Sequence, residues 1–424
     1  MRLGKLSNHG EPSDHWFELD PIGRLRHVYT IGKSGVGKST FLAHQLLQDI
    51  EEGNGIALFD PHGALADTIL SNIPRRRVRD VVLFDPSDRD WPVAFNPLHN
   101  IPPERRPFVA STIVDAFKAV WGKSWGPQLE MFLYASAAAM LDFPDGTLLG
   151  IKFMLTSKKF RTRVLSHVQD PALRDFWQTD FAKHMPDREQ RERTLSTLNK
   201  IGQLITDPTI RNIIGQTHSR LSFTDVMDHR KIFIARIAQG DLGIQKSSLI
   251  GGLLLSNFHL HALQRKVPDP PLYLYADEFH NLGNVQEMLS GIRKFGVSLN
   301  LAHQYVGQLS DEMQDAVLGT VGTMVCFRIG PKDARELAVQ FDKQPQQLAD
   351  IPPYRAYVTT DRNTIEIHVP EPDFSNKTSK HIVQHSRSQY ATPREAVERR
   401  ITRFIGGMDE SADKPRRKKG RHLL

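Results

Sequence analysis

Residues 27–40 read HVYTIGKSGVGKST, and the order of residue types in this stretch decides the fold. The opening five residues, 27–31, are rich in β-branched and aromatic side chains, which suits a buried strand. Gly32-Lys33-Ser34-Gly35-Val36-Gly37-Lys38-Ser39 then matches G-x-x-x-x-G-K-[ST]. Beyond it, Phe41, Leu42, Leu46, Leu47 and Ile50 recur at helical spacing until Gly53-Asn54-Gly55. Strand, glycine loop and helix follow one another as a phosphate-cradling loop requires. The glycines let backbone N–H groups point inward, and the helix that begins near Lys38 brings its positive dipole end to the same anion. Lys38 is expected to reach the β and γ phosphates and the Ser39 hydroxyl to ligate Mg²⁺.

Working outward, residues 56–59 (IALF) and 81–84 (VVLF) are short apolar runs, each closed by Asp-Pro. Such runs suit strands buried on both faces, so the chain falls in the α/β class, with a mostly parallel sheet covered by helices. From 102 to 228 the texture changes. Apolar residues recur at three and four, as in Val109, Ile113, Phe117 and Val120, and strand runs disappear. Strand patterns return at 231–237, 272–276, 297–302 and 323–329, and 354–359 with 364–369 predict a closing hairpin. The expected organisation is an N-terminal arm or short edge structure (1–26), a first part of the core (27–101), an inserted all-α subdomain (102–228), a second part of the core (229–370) and a C-terminal extension with a basic tail (371–424). A short helix over 393–404 is the one element expected in that extension.

Composition narrows the function classes. At 424 residues, 39% hydrophobic and 24% charged, the chain is long enough for a sizeable core and unlike a disordered one. The single cysteine, Cys326, excludes an internal disulfide and a thiolate metal cluster. The longest apolar run, 131–141, is about half of the roughly 20 residues a membrane span needs, and residues 1–14 lack a secretory apolar stretch, so a cytoplasmic protein is expected. Net charge is +7, but residues 414–421 hold six basic residues, leaving 49 basic against 48 acidic elsewhere. Affinity for a polyanion must come from that tail or from local charge arrangement. Arg75-Arg76-Arg77 and the run 158–161 could contact phosphates, although such runs more often form solvated faces. Trp121 and Trp125 could stack on bases, although packing inside a helical subdomain is the commoner use.

A phosphate loop needs an acid at the tip of a second strand. Asp277 follows the run 272–276 and suits Mg²⁺, and Glu278, one residue on, suits the orientation or deprotonation of an attacking water. An adjacent acid pair favours hydrolysis over transfer to an acceptor. After the next strand, Gln304 either hydrogen-bonds both that water and the γ-phosphate, reporting which nucleotide is bound, or is a surface glutamine at a strand end. Arg293, before the same strand, either caps its own helix or projects into a neighbouring subunit's site, where an arginine stabilises transition-state charge. Arg328 is a weaker candidate for that second task. His62, His280 and His303 lack metal-ligand spacing and suit surface or supporting positions.

Together these segments resemble the FtsK/HerA superfamily of DNA-pumping ATPases and, within it, the coupling proteins of conjugation and type IV secretion. The resemblance rests on 27–40, IALFDPHG (56–63), LYLYADEFHNL (272–282) and RKFGVSLNLAHQYVGQL (293–309). It implies a RecA-like P-loop fold with an inserted all-α domain, and ATP bound by Gly32, Lys33, Ser34, Gly35, Val36, Gly37, Lys38, Ser39 and Thr40. It also implies Mg²⁺ held by Ser39 and Asp277, hydrolysis by Asp277 and Glu278, a sensor at Gln304, and Arg293 offered to the adjacent subunit. A hexameric ring threading DNA is the implied assembly, with secretion-channel or relaxosome proteins as further partners.

Two departures stand out. Relatives usually carry an N-terminal transmembrane hairpin, whereas about 26 residues precede the first core strand, so attachment to the inner membrane would fall to a partner. The family also often has an acid after D-P-[HK]-G, where this chain has Ala64. A docking adaptor that uses ATP only to switch conformation is the competing expectation, separated from a motor by DNA-stimulated turnover. A nucleoside or small-molecule kinase fits less well, because Glu278 with Gln304 suits water activation and no arginine-rich lid is present in the sequence.

Overall fold

Eleven strands join in one sheet in the computed structural model, which describes residues 1–8, 10–283, 285–361, 363–371, 373–374 and 379–409. In chain order they are β1 (Arg2–Asn8), β2 (Glu11–Glu18), β3 (Val28–Ile31), β4 (Gly55–Asp60), β5 (Val81–Phe84), β6 (Ile232–Arg236), β7 (Leu272–Ala276), β8 (Val297–His303), β9 (Thr323–Cys326), β10 (Arg355–Thr360) and β11 (Thr364–His368). Their spatial order is β2-β1-β11-β10-β9-β3-β8-β7-β4-β6-β5. The seven strands from β9 to β5 run parallel, and β10, β11, β1 and β2 extend the sheet with antiparallel pairs.

The parallel strands are buried because helices cover both faces. Alternate side chains of β4 divide between them. Ile56 and Leu58 join Phe41, Leu42 and Leu46 of the helix Lys38–Glu52 in one core, while Phe59 meets Phe258 of the helix Ile244–Ala262 at 6.0 Å between ring centroids. This explains why the strands are continuous apolar runs instead of alternating ones.

Two compact units emerge. One comprises 1–88, 111–126 and 220–391 and carries the sheet; the other comprises 89–110, 127–219 and the described residues from 392 onward, and is helical. In the helical unit Trp177, Phe132 and Phe181 pack together, and the Trp177 indole donates to the Ala135 carbonyl at 3.3 Å. Of the two alternatives expected over 1–26, an arm or a short edge structure, the chain forms the second: the hairpin β1–β2 and a short helix, Pro21–Arg24, with β1 paired to β11. Polar, proline-bearing sequence concealed these strands because β2 lies on the sheet edge and is largely exposed. Residues 111–126, expected in the helical insertion, cluster with the sheet unit. Among the described residues of the C-terminal extension there are two helices, Lys380–Tyr390 and Arg394–Asp409, where one was expected. The basic tail 414–421 lies outside the described residues.

Candidate nucleotide site

The glycine loop leaves β3 at the carboxyl ends of the parallel strands and is tied down through its backbone. Gly32 N–H donates to the His303 carbonyl at the end of β8, Lys33 N–H donates to the Arg328 carbonyl after β9, and Tyr354 N–H donates to the Val36 carbonyl. Gly35 and Gly37 take φ of 77° and 106°, in the left-handed region that favours glycine. Gly37 caps the helix Lys38–Glu52 without a side-chain acceptor, so the helix presents unfilled N–H donors to the loop. A Cβ at Gly37 would come within 2.9 Å of the Tyr354 ring.

Asp277 and Glu278 arrive from β7. Asp277 N–H donates to the Phe59 carbonyl of β4, and Glu278 N–H donates to Asp277 Oδ1 at 3.1 Å. Lys38 Nζ lies 3.1 Å from Glu278 Oε1 and 3.8 Å from Asp277 Oδ1, with all three side chains buried. Residues 240 positions apart thus meet around one cavity of about 230 Å³. Lys33, Ser34, Gly35, Gly37, Ser39 and Thr40 line it with them, joined by Gln304, His62 and Tyr354. Of the expected nucleotide-binding set, Gly32 and Val36 do not line the cavity; both are buried beneath the loop.

Burial raises the Asp277 carboxyl to about 6, with Glu278 and Asp60 pushing the same way and Lys38 opposing. Two carboxylates around one ammonium leave the site in need of further positive charge. Glu278 Oε2 is buried without a hydrogen-bond partner, and Glu278 sits at φ 49°, a conformation costing on the order of 1–3 kcal/mol in a non-glycine residue. The donors therefore fit a polyphosphate with a divalent cation: an ammonium, unfilled helix N–H groups, the Ser39 hydroxyl and an acid at a strand tip.

The remaining candidates separate in space. Gln304 lines the cavity, its N–H donating to Gln308 Oε1 at 3.1 Å. Arg293 is exposed in the turn Ile292–Phe295 ahead of β8, at the opposite end of a seven-residue strand, roughly 20 Å from the cavity end. Arg328 follows β9 beside the chain's own glycine loop, its carbonyl accepting from Lys33. His303 is fully buried, with Nε2 2.6 Å from the Tyr29 hydroxyl, so it is no surface residue. Asp60 is also buried; its two oxygens accept from the N–H groups of His62 and Ala66, holding the 60–63 turn.

Two further residues line the cavity: His62, which suited a surface or supporting position in the sequence, and Tyr354, to which sequence reasoning gave no role. The segment 56–63 signalled His62, but nothing near residue 354 announces that its backbone takes φ 61° and bonds the loop. Several basic residues are consumed internally. Arg77 bonds the carbonyls of Ile50 and Arg230, Arg76 pairs with Glu51, and Arg161 donates to the Met154 carbonyl beneath Phe181. Trp121 is buried against Phe117.

Comparison with solved structures gives the same fold. Plasmid coupling protein TrwB in complex with ADP and Mg²⁺ is 15% identical with a TM-score of 0.61, over 89% of this chain and 92% of that one. TrwB with a non-hydrolysable ATP analogue reaches 0.62 at 14% identity, over 89% and 92%. VirB4 of Thermoanaerobacter pseudethanolicus reaches 0.60 at 15% identity, over 88% and 96%. No match arises among curated protein sequences. The family model for type IV secretory system conjugative DNA transfer matches residues 8–327, about three quarters of the sequence. With a P-loop fold, a convergent lysine and acid pair, and that match, the chain belongs to the type IV secretory system conjugative DNA transfer family.

Proposed function

We propose that this chain is an ATP-hydrolysing motor that assembles as a homo-oligomeric ring, a hexamer, and moves DNA through a conjugative or type IV secretion apparatus. The observation that carries the reading is the meeting of Lys38 with Asp277 and Glu278 at the mouth of the glycine loop. The loop N–H groups and Lys38 bind the β and γ phosphates. Glu278 orients water and accepts its proton as the water oxygen bonds the γ-phosphorus and the bond from that phosphorus to the β–γ bridging oxygen breaks, giving ADP and phosphate. Mg²⁺, held by Ser39 and Asp277, would spread the charge on the phosphate oxygens. Gln304, which follows β8 and lines the cavity, contacts the γ-phosphate and the water in this reading.

Arg293 lies too far from its own cavity to serve it, which supports a role across a subunit boundary. No helix among the described residues is long and apolar enough to cross a membrane; in this reading partner proteins at the cytoplasmic face of the inner membrane supply contact with the secretion channel.

ATPase assays with and without single- and double-stranded DNA test the reading. Faster phosphate release with DNA is expected, with Lys38→Ala losing nucleotide binding and Glu278→Gln binding ATP but stalling. Turnover indifferent to DNA but raised by a protein partner would transfer the chain to the adaptor class.

A further inference from the structure

We propose that His280 and Gln308 are positioning residues forming a directional hydrogen-bond path from the Gln304 loop to the second carboxylate oxygen of Glu278. The inference rests on the hydrolytic assignment of Glu278 above and deepens it. The Gln308 side chain can be oriented from its partners: its Oε1 accepts from the N–H groups of both Gln304 and Tyr305, at 3.1 Å each. Its other terminal atom is therefore the amide nitrogen, which has only hydrogens to offer. That nitrogen lies 3.3 Å from His280 Nε2, so His280 Nε2 must accept.

A neutral imidazole that accepts at Nε2 carries its proton on Nδ1. His280 Nδ1 lies 3.5 Å from Glu278 Oε2, and neither atom has a hydrogen-bond partner. His280 belongs to the turn Phe279–Asn281 that directly follows Glu278, so a small rotation closes the gap. Every donor in the path then points toward Glu278.

The path gives Glu278 a hold that survives nucleotide binding. In the structure its Oε1 is held by Lys38, which the phosphates claim when ATP binds. His280 then remains on Oε2 to aim the carboxylate at water. Because the far end of the path is the backbone of Gln304 and Tyr305, a shift of that loop on contact with the γ-phosphate reaches the base that activates water.

Full-length protein labelled with ¹⁵N at histidine reads the tautomer directly. An Nδ1–H, Nε2-acceptor signature is expected for His280. Gln308→Glu retains the acceptor for both backbone N–H groups but faces His280 with a second acceptor, drawing a proton to Nε2. It should lower kcat roughly 10- to 100-fold, as expected for a misaimed catalytic group, and leave affinity for a non-hydrolysable ATP analogue within about twofold. His280→Ala should act similarly, and His280→Asn, whose amide can donate from near the Nδ1 position, should recover part of the loss. A wild-type Nε2–H tautomer, or wild-type kcat in Gln308→Glu or His280→Ala, overturns the path. Should the wild-type chain hydrolyse no ATP at all, the hydrolytic reading fails, and the tautomer still decides whether the path exists.

Discussion

At the scale of single residues, burial of ionisable groups sets the chemistry around the cavity. His303 sits behind the glycine loop, where burial, reinforced by Lys38 and His280, lowers its imidazole to about 3. His27, at the start of β3, is lowered by burial to about 4. Both are neutral in the fold and bind protons more readily when the chain unfolds, so their contribution to stability is present above about 6.5 and is lost as pH falls from there toward 3–4. Asp277 opposes them between its ordinary value and about 6, because its folded carboxyl holds a proton more tightly than an unfolded one. We expect His303→Asn to reduce the loss of stability between pH 7 and pH 5, read as the shift in urea midpoint at the two values. An equal shift in wild type and variant would show that His303 does not set the acid sensitivity.

Among elements, one buried ionic cluster joins four segments of the sheet unit. Arg24, in the short helix before β3, pairs with Asp49 of the helix that follows the glycine loop, and both are nearly or fully inaccessible. The Tyr275 hydroxyl of β7 donates to Asp49 at 2.6 Å, and the Arg24 guanidinium lies over the ring of Tyr273. Ser298 of β8 donates to the Arg24 carbonyl. The strand bearing the acid pair is thus coupled to the helix bearing Lys38. Removing one partner strands the other charge, so Asp49→Asn should destabilise the chain by about 3 kcal/mol in denaturant titration. The exposed Arg2–Glu18 pair, by contrast, should contribute less than about 1 kcal/mol. Comparable losses from Asp49→Asn and Glu18→Gln would deny the cluster this role.

On the scale of the whole molecule, the separation of Arg293 from its own cavity makes a ring prediction. Arg293→Ala and Glu278→Gln should each be inactive alone, and mixing them should restore hydrolysis wherever an intact Glu278 meets an intact Arg293 from its neighbour. Phosphate release across mixing ratios measures this. Full activity of Arg293→Ala alone, with no gain on mixing, would remove Arg293 from the neighbouring site.

Local sequence was sufficient for the glycine loop, the acid pair and the buried parallel strands, because each depends on a short pattern: glycines that free the backbone, an apolar run that ends at a charge, a helix that begins at a lysine. It was insufficient for β2, whose polar residues lie at an exposed edge where no apolar pattern is required, and for β1, a strand held between β2 and β11. The contribution of Tyr354 to the cavity, the burial of His303 and the approach of Gln308 to His280 were decided by tertiary structure alone. Each depends on which strands become neighbours, and strand order arises from packing between segments hundreds of residues apart.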